Sequence, residues 1–152
     1  MAEGRVRYEQ RSTLLALETY LTTKGWTGIT YTDGYQGDKT ITNPHVAVTF
    51  PPSSIKELEL GRVGGKLFNR RILIDAYMEN EPRAQTIIDD IMDFMDEACI
   101  EIVDPSGNTL GTLICSNSEA IRAEVFPPIM GNPKLARWRG AAQGPFDAFY
   151  PA

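Results

Sequence analysis

Between Asn80 and Ala98 the apolar residues Ala84, Ile87, Ile88, Ile91, Phe94, Met95 and Ala98 recur at intervals of three and four. That spacing gathers side chains on one side of an α-helix. Asn80 is a good N-cap, and Glu81 and Pro82 suit a first turn. A helix with a single apolar stripe must bury it against another layer. The segments on either side are rich in β-branched and alternating residues, so that layer is expected to be a sheet.

The remaining elements follow from period and punctuation. Leu14, Leu17 and Leu21, with Leu15 and Tyr20 beside them, predict a first helix over Tyr8 to Lys24, stopped at Gly25. Trp26 to Tyr31 reads as a short strand, and Thr32 to Lys39 as an exposed loop. His45 to Phe50 alternates, with Val46, Val48 and Phe50 on one face, and ends at Pro51-Pro52. Lys56 to Leu60 and Leu67 to Met78 flank a glycine-rich turn and predict an extended β-hairpin. Ile100 to Asp104 and Thr109 to Ser116 flank Pro105-Ser106-Gly107-Asn108 and predict a second one. Ile121 to Phe126 alternates once more and is ended by Pro127-Pro128. After that no helical or strand period is visible, so residues 127–152 read as an irregular C-terminal arm on a domain spanning 1–126. The expected fold class is α+β: a mostly antiparallel β-sheet with two α-helices packed on one face.

Several chemistries are closed to such a chain. His45 is the sole histidine, which rules out a multi-histidine metal site, and its place at a strand start suggests a structural residue rather than a triad base. Neither Cys99 nor Cys115 sits beside basic residues that would activate a thiol. Both read as small buried hydrophobes, with a cross-strand disulfide as the alternative. Gly61, Gly64 and Gly65 lack the Lys-Ser/Thr pair and following helix of a phosphate loop. Asp33 and Asp38 lack the spacing and closing glutamate of a calcium loop. No cofactor and no enzymatic activity are expected. Acidic residues outnumber basic ones by 20 to 15, so the chain repels polyanions at long range, although DNA could slide past it. The polar start and the lack of a long apolar stretch suggest synthesis in the cytoplasm with no membrane span.

What remains points to protein surfaces. Asp89, Asp93 and Glu97 are spaced i, i+4 among further acids, Asp90 and Asp96, with no lysine nearby. Such pairs repel by roughly 0.2 to 0.5 kcal/mol each. A basic partner, or the wall of an acidic channel, would account for them, the plain alternative being a solvated face. Arg70 and Arg71 are adjacent in a strand and must point to opposite faces. One is then a candidate subunit contact through forked pairing with carboxylates, for which the acidic helix supplies candidates, the alternative being an exposed edge. Arg137, Trp138 and Arg139, with Phe146, Phe149 and Tyr150, put interface-type residues in the arm.

The run Glu57-Leu58-Glu59-Leu60-Gly61-Arg62, its glycine turn, the strand Asn69-Arg70-Arg71-Ile72-Leu73-Ile74-Asp75-Ala76-Tyr77, and the amphipathic helix and strand that follow resemble the tail terminator proteins of tailed bacteriophages. The likeness is one of layout over roughly residues 8–126. It implies a non-enzymatic virion protein, made in the host cytoplasm and built into the neck as a ring of six subunits. Such a ring caps the tail tube, joins it to the head connector and leaves a lumen for DNA, with no membrane contact. Tail tube, tail-completion and connector proteins share similar layouts; a small ligand-binding or enzymatic domain is the rival from another class. Under the resemblance, the hairpin residues Leu58, Leu60, Arg62, Leu67 and Phe68 are expected to contact other subunits. So are Arg70 and Arg71, the helix acids Asp89, Asp93 and Glu97, and Arg137, Trp138, Arg139, Phe146 and Tyr150 of the arm.

Overall fold

The computed structural model describes residues 4–33, 44–50, 65–128 and 137–151, and the backbone of 56–59. Its elements in chain order are α1 (Arg5–Thr23), β1 (Thr30–Asp33), β2 (His45–Thr49), β3 (Lys56–Glu59), β4 (Lys66–Met78), α2 (Glu81–Glu97), β5 (Cys99–Val103) and β6 (Thr109–Cys115). A short 3-10 turn (Ser118–Ala120) follows, then β7 (Arg122–Phe126) and β8 (Trp138–Tyr150). All eight strands join one sheet, ordered β1-β2-β4-β8-β6-β5, with β3 against β4 and β7 against β8. Every pairing is antiparallel except β1 with β2. The chain is α+β, as its sequence predicts.

The largest departure from expectation lies at the C-terminus. Trp138–Tyr150, expected within an irregular arm, instead form β8, a central strand of the same sheet, paired with β4 along its whole length from Met78↔Trp138 to Lys66↔Tyr150. The alternation is present but muted: Gly140, Ala142, Gly144, Phe146, Ala148 and Tyr150 share one face, and four of those six are glycine or alanine. Small residues carry little periodic signal, yet here they are what the packing requires. A Cβ on Gly140 would lie 2.3 Å from Ile88 Cγ1, and one on Gly144 would lie 3.1 Å from Ile121 Cγ1 and 3.3 Å from Met95 Cε. The flat strip lets α2 settle directly on β8.

Residues paired across a ladder share a face. Even-numbered positions of β4 and β8 therefore face the helices, and odd-numbered ones face away. Val46 and Val48 of β2 pair with Ala76 and Ile74 on the helix side. Against this face α2 buries Ala84, Ile87, Ile88, Ile91, Phe94 and Met95, and α1 buries Leu17 and Leu21. Both helices thus lie on one face. Asn80 caps α2 by accepting a hydrogen bond from the Arg83 amide at 3.0 Å.

Two smaller expectations are corrected. The first strand starts later than Trp26, because Gly28 turns the chain with φ +70°; Trp26 instead packs beside α2 and donates its indole N–H to Asp90 at 2.7 Å. The cysteines are not buried hydrophobes: Cys99 is exposed and Cys115 half-buried, both as free thiols. Cys99 pairs with Ile114, so Cys115, one residue on, points to the opposite face, and no disulfide can span the two. No helix among the described residues is long and apolar enough to cross a membrane.

Filling the strip between β8 and α2 should be costly. Gly140→Leu is expected to lower stability by about 1 to 3 kcal/mol through overpacking, read as a shift of the urea midpoint. An unchanged midpoint would mean that α2 does not rest on Gly140.

Candidate functional site

Two clusters hold the buried charged side chains among the described residues, Glu9, Arg70 and Asp75. The first lies beneath α1. Glu9 is fully buried and accepts hydrogen bonds from Arg70 Nε at 2.5 Å and Nη2 at 3.1 Å, and also from the Tyr150 hydroxyl. The Arg70 guanidinium lies 4.7 Å from the Phe68 ring centre, and that of Arg5 lies about as close, 5.1 and 5.2 Å, to Phe68 and Tyr150. Burial, then the neighbouring Glu9 carboxylate, pushes the Tyr150 hydroxyl well above its ordinary pKa, so it stays a donor. This site ties α1 to β4 and β8. It is closed to solvent and serves as a structural lock.

The second cluster lies on the helix-free face. Arg139 reaches Asp75 Oδ1 with Nε at 2.8 Å and Nη2 at 2.7 Å, and stacks 5.3 Å from the Phe126 ring centre. Burial raises the Asp75 carboxyl above its ordinary pKa, with Arg139 pulling the other way. Beside this pair runs an open groove of about 550 Å³, lined by Leu73, Glu124, Phe126, Ala141 and Gln143 together with Arg122 and Arg139. Arg122 is exposed, and its Nη1 donates to the backbone carbonyls of Glu119 at 2.7 Å and Ile121 at 3.2 Å, which fixes its direction. Phe126, at the groove, and Ile114, farther along the same face, remain 37% and 45% exposed.

The residues expected at subunit contacts separate accordingly. Arg70, Phe68, Phe146 and Tyr150 are buried within their own chain, so none offers a surface. Arg70 does pair with a carboxylate, but that of Glu9 rather than one from the acidic helix. The signal missed was Glu9 itself, one turn before Thr13 and on the buried side of α1. Arg71 points the other way and is exposed, as the alternation requires. Asp89, Asp93 and Glu97 are exposed along the outer side of α2. Leu67, Arg137, Trp138 and Arg139 are half-buried. Leu58 pairs with Leu67 through its backbone, whereas Leu60 and Arg62 lie outside the described residues. His45 is a strand-start residue, its Nε2 sharing a hydrogen bond with the Thr32 hydroxyl at 2.7 Å. Sequence reading passed over Arg122, Phe126 and Asp75, whose proximity depends on where β8 runs.

No protein-family model and no curated protein matches this chain. Among solved structures 32 chains match. One of them, bearing a sequence label instead of a functional name, covers 94% of this chain and 98% of its own at 13% identity, with a TM-score of 0.50. At that identity the likeness shows the fold alone.

Two outcomes are expected. Glu9→Ala, which strands a buried guanidinium, should cost about 3 to 5 kcal/mol in urea unfolding. The triple variant Glu9→Leu/Arg70→Met/Tyr150→Phe should recover most of that; equal loss in both would mean that the charges themselves hold α1. Because the folded Asp75 carboxyl binds its proton more tightly than the unfolded one, its contribution is full below the unfolded pKa and lost as pH rises through the folded one. Relative to Asp75→Asn, the wild-type chain should therefore gain stability as pH falls from neutrality towards the ordinary carboxylate range. A relative loss over that range would show that Arg139 outweighs burial.

Proposed function

We propose that this chain is a structural subunit of a tailed-phage neck, of the tail-terminator type. It would assemble as a ring, expected to be six-membered, that caps the tail tube and meets the head connector. The observation that carries the reading is the two-sided sheet. One face is filled by α1 and α2; the other leaves Phe126 and Arg122 open beside a shallow groove, with Arg71 and Ile114 exposed farther along the same face. A subunit of an assembly buries such exposed aromatic and arginine side chains against a neighbour. The order helix, hairpin, long strand, amphipathic helix and second hairpin is the layout on which the resemblance rests.

Function under this reading is geometric. The subunit stops tube growth by presenting a face that a further tube ring cannot extend, and its net acidity keeps passing DNA from adhering to the lumen. No covalent step is involved. The closely related alternatives, a tube, tail-completion or connector subunit, differ in what they assemble into.

Light scattering and negative-stain imaging of the purified full-length chain check the proposal. Closed rings are expected. Long tubes would move the assignment to a tube protein, and a strict monomer at high concentration would count against a self-assembling ring subunit.

A further inference from the structure

The outer side of α2 carries an electrostatic cost that nothing on the same helix relieves. From Ala84 to Ala98 there is no lysine or arginine, while Asp89, Asp93 and Glu97 stand one turn apart and exposed. Asp96 and Glu97 also occupy the last turn, where no basic residue is present and the helix dipole disfavours negative charge. Next to them, Glu119 joins Asp93 and Asp96 around a small recess of about 240 Å³. The acidic surface therefore extends beyond the helix.

On the far side of the sheet stand Arg71 and Arg122, both exposed. The registers Arg71↔Pro145 and Arg122↔Gln143 place them on strands flanking β8, two residues apart along it. Two strand spacings and two residues of rise put their α-carbons about 12 Å apart. Eight residues of helix put Asp89 and Glu97 about 12 Å apart as well. Leu73, two residues from Arg71 on β4 and in the same row as Arg122, lines the groove with Phe126, so apolar side chains accompany the charges.

We propose that the acidic outer face of α2 seats on the helix-free sheet face of a second copy of this chain, with Asp89, Asp93 and Glu97 meeting Arg71 and Arg122. The two surfaces lie on opposite sides of one subunit, so the contact is head-to-tail. Repeated, a contact of that kind closes into a ring or runs on as a filament. The proposal deepens the ring reading and rests on it for closure. Arg122 is well suited to the role, since its bonds to the Glu119 and Ile121 carbonyls already hold it in place. Glu124, exposed on the same groove, opposes the docking helix and limits its affinity.

Sedimentation velocity on the full-length chain tests this with two variants, Asp89→Asn/Asp93→Asn/Glu97→Gln and Arg71→Gln/Arg122→Gln. Each alone should weaken association by about tenfold or more. The acid-neutralised chain should melt no lower than wild type, since i, i+4 repulsion is removed, so its loss of assembly cannot come from unfolding. An equimolar mixture of the two retains one intact contact per pair and should stop at heterodimers. Glu124→Lys should tighten association several-fold. If the wild type forms rings and both variants assemble equally well, the contact is overturned while the ring reading stands, and the acids are left to a lumen wall. A wild type that stays monomeric at every concentration overturns both.

Discussion

The pairing of β4 with β8 is the constraint on which the rest of the structure depends. Thirteen residues of each run side by side in unbroken register, and every other strand is attached to one of them directly or through a single neighbour. On the outer edge of β4, β2 takes residues 73–77 and β3 takes 66–69. On the outer edge of β8, β7 takes 139–143 and β6 takes 146–149. Two long strands, each flanked by two short ones, give a wide sheet from modest segments. The ladder joins residues 66–78 to residues 138–150, so the contacts that complete the sheet are long-range ones.

The buried ion pair gives this ladder its relation to α1. A carboxylate at Glu9 and a guanidinium at Arg70 are costly to desolvate, and two apolar residues of similar size would serve stability as well or better. What the charged pair adds is direction. Leu17 and Leu21 would tolerate a helix that slid or rotated over the sheet, whereas Glu9 must meet Arg70 and the Tyr150 hydroxyl together. That requirement fixes α1 to the ends of both central strands. It also explains why one of two adjacent arginines is lost to the surface and the other remains on it.

Much of this architecture was legible in the sequence, and the part that was not has a physical cause. The stripe from Ala84 to Met95, the alternation from Val46 to Phe50 and the turn chemistry at Pro105 to Asn108 are local signals, and each became the element that they predict. The last strand escaped because hydrophobic period is detected through large side chains, and the helix-facing positions of β8 at Gly140, Ala142 and Gly144 are small so that α2 can approach. The same omission hid the groove. Asp75 and Arg139 lie 64 residues apart in sequence and meet only because β8 lies beside β4, so neither could be seen as half of a pair. Arg70 reads as a residue in need of a carboxylate, and the acidic helix is the more visible source of one. Glu9, set among Arg7, Tyr8 and Gln10, offers no sign of burial.

The asymmetry of the sheet has a consequence for assembly. A sheet covered on both faces presents only helices and edges to its surroundings, and a sheet that leaves one face open most simply pairs that face with itself in a two-fold dimer. Self-pairing of the open face has a cost: Arg71 and Arg122 both project from it, and a two-fold contact that laid them on their own copies would set like charges together. The one acid lining the groove is Glu124; the larger acidic surface sits on α2, on the other side of the molecule, and cannot reach across within one chain. Complementary charge on opposite sides favours a heterologous contact, and a heterologous contact between identical subunits is the geometry from which rings are made.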